Sequence, residues 1–166
     1  EKVLRGSANA ACILQIPLSV HLPGWERHGQ KVLDISYEEG CIRNQVILCH
    51  MNPSFDDIDY QYDLANKGAW LEYDMIGMDY YYADQDAQCP YDNENAKAIK
   101  RLINDGFIDS LLLSHDVFLK MMLKNYGGFG YSYILTHFKE ILKRTGVSEN
   151  ELNYILTVNP KNCFNF

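Results

Sequence analysis

The sequence is short of basic residues, of paired cysteines and of long apolar runs, and each shortage narrows what the chain can be. Its 15 Lys and Arg stand against 22 Asp and Glu, a formal charge of −7. A surface for nucleic acid or an anionic membrane needs the opposite sign to meet a polyanion, so neither partner is expected. Cys12, Cys41, Cys49, Cys89 and Cys163 are odd in number, widely spaced and free of any C-x-x-C pair. That pattern fits neither a disulfide framework nor a zinc ribbon, and it reads as reduced thiols in a cytoplasmic protein. No apolar stretch approaches the roughly 20 residues of a membrane span, and the first residues lack the apolar core of a secretory signal. What remains, 47% hydrophobic and 22% charged residues in a chain of 166, is an ordinary globular composition, long enough for one domain with a sizeable core.

Short apolar runs alternate with helical patterns. Residues 11–21 (ACILQIPLSVH), 45–51 (QVILCHM), 69–75 (AWLEYDM) and 110–116 (SLLLSHD) read as buried strands. Between them the periodicity predicts helices over 30–39, stopped by Gly40, over 58–66, stopped by Gly68, and from an Asp92 cap to Gly106, with Ala96, Ile99, Leu102 and Ile103 as the apolar stripe of the last. Strand, helix, strand repetition implies a parallel sheet with right-handed crossovers. Further helices are expected at about 117–125, 136–145 and 148–158, the last opened by a Ser148/Glu151 capping box. The chain opens on a helical pattern with Val3, Leu4, Ser7 and Ala11 on one face, as in a protein already under way.

Three of the four strands end in a residue type that binds metals: His21, His50 and Asp116. In a parallel α/β sheet the C-terminal strand ends form the mouth where ligands sit. Side-chain alternation puts His21 on a face with Ser19, His50 with Leu48 and Val46, and Asp116 with Ser114 and Leu112. Neutral imidazoles and a carboxylate suit zinc or a similar ion, which makes water acidic enough to ionise near neutral pH, and Asp116 is placed to take the proton. A lone strand histidine is more often a hydrogen-bonded core residue; the repeated strand-end placement favours the ligand reading.

Arg27, beside Trp25 and His28, is a candidate for an anionic substrate group because guanidinium pairs bidentately with carboxylate or sulfonate, with a solvent-exposed loop the equal alternative. Tyr73, Asp74 and Tyr131 are further candidates for the pocket, with packing the alternative for the tyrosines. Asp56, Asp57 and Asp59 lack the spacing of a calcium loop and read as a helix start. Tyr80, Tyr81 and Tyr82 fall in a long connection, a frequent place for a lid. Gly127, Gly128 and Gly130 lack the Lys-Ser/Thr of a phosphate loop. An open nucleotide-binding sheet would need a glycine-rich first turn, and SVHLPGWERHG is a poor match.

The segments SVHLPG, ILCHM, LEYDMIG, LLLSHD and KNYGGFGYSYIL, with the closing ELNYILTVNPKNCF, resemble strands five to eight and the tail of phosphotriesterase-related proteins in the amidohydrolase superfamily. The resemblance covers nearly the whole chain and implies an α/β fold: the C-terminal half of a (β/α)8 TIM barrel, residues 1–166, with the opening helix following barrel strand four. It implies two divalent metal ions, usually zinc, with His21 and His50 on one and Asp116 on the other and serving as base. The family's first-strand HxH pair and bridging carboxylate have no counterpart here, so those ligands are expected before Glu1. Met75 stands where the organophosphate hydrolases carry a relay histidine, and Asn52 where relatives often carry Asp. The implied chemistry is hydrolysis of a small substrate, an N-acyl amide such as N-acetyltaurine, or else a lactone or ester. The alternative is a non-catalytic half-barrel that binds a partner or forms a homodimer across its open edges.

Overall fold

The computed structural model describes residues 1–164. In chain order it forms α1 (Lys2–Leu14), β1 (Leu18–Val20), α2 (Gly29–Glu38), β2 (Val46–Leu48), α3 (Ile58–Asn66), β3 (Trp70–Tyr73), β4 (Tyr81–Tyr82), β5 (Ala87–Gln88), α4 (Asp92–Asn104) and β6 (Leu111–Leu113). A π-helical turn at Ile134–Phe138 leads into α5 (Lys139–Arg144). Then α6 (Glu149–Asn153), a second π turn (Tyr154–Val158) and α7 (Asn159–Phe164) run on continuously.

The four main strands lie in the order β1-β2-β3-β6, each parallel to its neighbour, as alternation of buried strands with amphipathic helices requires. Gly40, Gly68 and Gly106, each at positive φ, stop α2, α3 and α4, the conformation in which glycine carries no Cβ penalty. The register makes Val46, Leu48, Leu71, Tyr73 and Leu111 one face, and these residues join Leu33, Leu64, Ala96, Ile99 and Leu102 of the helices in the main core. The opposite face carries Ser19, Ile47, Trp70, Glu72 and Leu112. There Ile47, Trp70 and Leu112 pack against Cys163 of α7.

Three local expectations change. Of the first expected strand, 11–21, residues 11–14 belong to α1 and only Leu18–Val20 forms β1. Residues 117–125 form two short 3₁₀ turns, Lys120–Met122 and Lys124–Tyr126, because Leu119 and Leu123 are extended and interrupt any helix. Gly128 then lies against the Met122 backbone so closely that a Cβ would come within 2.2 Å of its carbonyl, so the glycines there serve chain crossing. Asp92 does not cap α4. Tyr91 does, its backbone N–H donating to Glu94 Oε2 at 2.8 Å, while the Asp92 carboxylate accepts from Gly77 N at 2.9 Å and the Tyr133 hydroxyl at 2.7 Å. The Ser148 box forms as expected, with Glu151 N donating to Ser148 Oγ at 3.2 Å and Ser148 N to Glu151 Oε2 at 2.6 Å. Among the described residues, no helix is long and apolar enough to cross a membrane.

Candidate active site

Backbone hydrogen bonds continue past the formal strand ends, in the parallel sense after β1 and β2 and as an isolated antiparallel bridge of Met75 with His115 after β3 and β6, and they fix the loops that follow. Cys49 N donates to Val20 O at 3.0 Å, Met51 N to Glu72 O at 3.1 Å, and Asp116 N to Asp74 O at 2.8 Å. His21, His50 and Asp116 therefore leave the sheet at the same end, and all three line one cavity of about 520 Å³. The His21 and His50 rings meet edge to face, centroids 4.3 Å apart.

His21 and Asp116 reach the cavity by the alternation expected of them. His50 does not, because strict alternation would turn it with Leu48 into the core under the helices. Instead it sits at φ 59°, a left-handed conformation uncommon outside glycine, and this reverses the direction of its side chain. Asp74 holds the turn: its Oδ1 accepts the His50 backbone N–H and the Nδ1 of the ring, both at 3.0 Å. A carboxylate can only accept, so the proton lies on Nδ1 and Nε2 is left with a lone pair. Burial pulls the His50 pKa down, yet the Asp74 bond, its charge, and the charges of Asp116 and Glu72 outweigh it and leave the group raised. The site favours positive charge at this ring.

Below the rings, on the sheet face opposite the main core, lies a polar chain. Cys49 Sγ donates to Glu72 Oε2 at 3.0 Å, Ser114 Oγ to Glu72 Oε1 at 2.9 Å, and Ser19 Oγ lies 3.1 Å from Cys49 Sγ. Cys49, Glu72 and Asp74 could enclose an ion, their ligand atoms lying within 4.8 Å of one another. Burial first, with Glu72 adding to it, pushes the Cys49 thiol far above its ordinary range, so the sulfur keeps its proton and the cluster is a hydrogen-bonded support.

His115, beside Asp116 but outside the cavity lining, is a support that strand-end placement passes over. Its Nε2 accepts from Ile134 N at 3.0 Å, so Nδ1 carries the proton toward Ile76 O at 3.2 Å. Phe129 and Tyr133 pack on its ring at 5.5 and 6.2 Å. The GGFGYSY segment thus clamps the residue next to Asp116, and the clue in the sequence was two of its three aromatics, Phe129 and Tyr133, rather than its glycines.

The remaining candidates fall elsewhere. Tyr73 is fully buried and its hydroxyl donates to Gln61 Oε1 at 2.6 Å, because strand alternation turns it under α3; it is a core residue. Asp74 is 6% exposed and engaged with His50, so it orients a ring and does not face the cavity. Arg27 donates to Asp57 Oδ2 at 2.9 Å and to the Trp25 carbonyl at 3.2 Å, and it stacks over Tyr60 at 5.4 Å; its charge is matched within the chain. Tyr131 is 69% exposed and lies outside the cavity lining, and Tyr133, two residues on, makes the inward contacts. From the tyrosine loop, Tyr82 reaches the cavity, with Trp25, Met75, Gln85 and Phe118. A hollow of about 440 Å³ at the other end of the strands is lined by Cys12, Ile16, Asn44 and Gln45 among others. It has no histidine or carboxylate lining among the described residues, and the Gln45 amide is spent on Ala11 O and Ile16 O.

The arrangement is that of an α/β protein with its pocket at the C-terminal ends of a parallel sheet. More narrowly, the chain belongs to the phosphotriesterase family, whose model matches residues 1–164. It is similar to the N-acetyltaurine hydrolase of Homo sapiens, 32% identical over 99% of this chain and 48% of that protein. Among solved structures it is similar to a resiniferatoxin-binding protein from Rhodobacter sphaeroides, with 51% identity, TM-score 0.95, and 97% of this chain against 45% of the other. It is also similar to the phosphotriesterase homology protein of Escherichia coli, solved with phosphate in its active site, with 26% identity, TM-score 0.85, and 97% of this chain against 52% of the other. The chain spans about half the length of the curated relatives it matches.

Proposed function

We propose that the chain is the C-terminal half of a (β/α)8 barrel and contributes its part of a divalent-metal site, zinc by family resemblance, to a hydrolase acting on a small amide or ester. One observation carries this reading: His21, His50 and Asp116 converge on a single cavity while Asp74 fixes the His50 ring with Nε2 available. The donor set fits such an ion, since two imidazoles and a carboxylate are ordinary zinc ligands and a carboxylate behind a ligating histidine sets its tautomer and orientation. His21 and His50 would hold one ion and Asp116 the other, with the remaining ligands supplied by the rest of the protein. A bound divalent cation supplies Lewis acidity, lowering the pKa of water and polarising a carbonyl.

The chain's own residues then have distinct tasks. Asp116, its backbone tied to Asp74 O and its neighbour His115 clamped by Phe129, accepts the proton of the attacking water at its carboxylate. Asp74 keeps the His50 ring from rotating. Trp25, Tyr82 and Phe118 cover the cavity and limit bulk water. Support comes from the hydrolase name of the human relative and from a similar lactonase of Listeria monocytogenes. The test is Asp116→Asn in the full-length protein with metal analysis alongside. We expect kcat/KM to fall by about 10²- to 10⁴-fold, the usual contribution of a positioned base; activity retained within a factor of three would remove Asp116 from this role.

A further inference from the structure

Resting on that reading of the site, we infer that the part of the substrate held against this chain is uncharged and apolar, and that Trp25 and Tyr82 select it. The two rings meet at 66° with centroids 5.5 Å apart, and both line the cavity with Leu22, Met75 and Phe118. Beyond His21, His50 and Asp116, the polar side-chain groups among the described lining residues are the Gln85 amide, the Tyr82 hydroxyl and the Trp25 indole N–H. All three are neutral. They suit a carbonyl, ether or amide, whereas a sulfonate or carboxylate is best met by a guanidinium fork.

The two cations nearest in sequence to the lining are engaged elsewhere, Lys120 over the Tyr126 ring at 4.5 Å and Arg27 more fully. Arg27 is paired with Asp57 at 2.9 Å, lies 3.7 Å from Asp56, and donates to the carbonyls of Trp25 and Gly24. Turning it inward would strand Asp57 and break the contact over Tyr60. Apart from the metal ions proposed to hold the scissile group, an anionic group on this wall would meet no cation among the described lining residues, an arrangement that forgoes affinity.

The wall is also built in advance of any ligand. Tyr82 belongs to the antiparallel β4–β5 hairpin, paired with Ala87, and Cys89 N donates to Tyr80 O at 2.9 Å at its base. Gln88 reaches Asp79 Oδ1 at 3.0 Å, and the Tyr81 hydroxyl is bonded to Asp86. Under the hairpin, Met75, Met78, Cys89 and Met122 form a buried cluster that Trp25, Tyr82 and Phe129 pack against. An aromatic ligand entering here meets surfaces already in place, so little of the contact energy is lost to ordering. The N-acetyltaurine of the human relative carries a sulfonate, and the described residues of this wall offer that group no cationic partner.

The experiment compares kcat/KM for N-benzylacetamide and phenethyl acetate with that for N-acetyltaurine, using full-length metal-loaded protein. It also measures equilibrium binding of N-benzylacetamide to the protein after chelation. We expect a preference of at least 10-fold for the neutral aromatic compounds. Trp25→Ala and Tyr82→Ala should each erase most of it, and Tyr81→Ala, on the exposed side of the same hairpin, should leave the ratio unchanged. A wild-type preference for N-acetyltaurine, or a neutral preference that survives both alanine variants, overturns the inference while leaving the hydrolase reading standing. If none of the three compounds is hydrolysed, the hydrolase reading fails and binding alone decides. Binding that is lost in Trp25→Ala supports the apolar wall, and no binding by the wild type overturns it.

Discussion

Asp74 accepts two hydrogen bonds from His50 on the same carboxylate oxygen, one from the backbone and one from the ring, each 3.0 Å long. The pair joins a backbone conformation to a side-chain orientation. Without the first bond His50 would have no compensation for its left-handed φ of 59°, and without the second its ring could turn Nε2 away from the cavity.

Asp74→Asn tests this coupling. The amide keeps the volume but carries no charge, and its weaker acceptor no longer raises the basicity of the ring. We expect metal affinity, measured by competition with a chelator, to fall about 10- to 100-fold, as for other supports of ligating histidines, with secondary structure retained. Unchanged affinity would show that the pair serves the fold alone.

Tyr73→Phe separates core from site. The substitution leaves Gln61 Oε1, which is buried, without the hydroxyl that now donates to it. An unpaired buried acceptor costs about 1–3 kcal/mol, so the denaturant midpoint should drop while kcat/KM stays within a factor of two. A selective loss of activity would return Tyr73 to the pocket.

Gly128→Ala should harm folding although φ there is unremarkable. Its Cβ would stand 2.2 Å from the Met122 carbonyl carbon and oxygen, and backbone cannot swing aside as a flexible side chain can. Overpacking of this kind costs about 1–3 kcal/mol. Gly127→Ala is a useful contrast, because nothing lies within 4 Å of its Cβ and only its φ of +90° opposes the change. Thermal melts of the two variants would expose any error in this ranking.

Glu151 gives a dependence on pH. The Ser148 backbone N–H lowers its pKa most, burial opposes, and the Ser148 hydroxyl and Lys100 add to the lowering. A carboxylate held below its unfolded value contributes stability that is present above that value and is lost as pH falls through the folded one. The melting temperature of the wild type should therefore decline below about pH 4.5 more steeply than that of Glu151→Gln, which lacks the titration. Parallel declines would exclude Glu151 as a contributor.

Much of this was legible in the sequence. The apolar runs ending at His21, His50 and Asp116, the glycine stops of three helices and the capping box at Ser148 are local signals, and local physics decides them. Strand-end logic brought the three polar residues to one mouth, and family resemblance agreed. Arg27, Tyr73 and Tyr131 went astray because nearness in sequence to a strand end does not say which way a side chain points. Tyr73 shares its parity with Leu71, which is core, and Arg27 is captured by Asp57, thirty residues away.

The sequence by itself determined the parallel α/β organisation, the end of the sheet that carries the chemistry, and the residue types available there, since periodicity and chain punctuation are read over a few neighbouring positions. Only the tertiary structure decided that His50 turns against its strand's alternation to meet His21, that Asp74 supports it without facing the cavity, and that Trp25 and Tyr82 form one wall. Each of these depends on groups 24 to 57 positions apart, whose contact is settled by how the helices pack the strands into register.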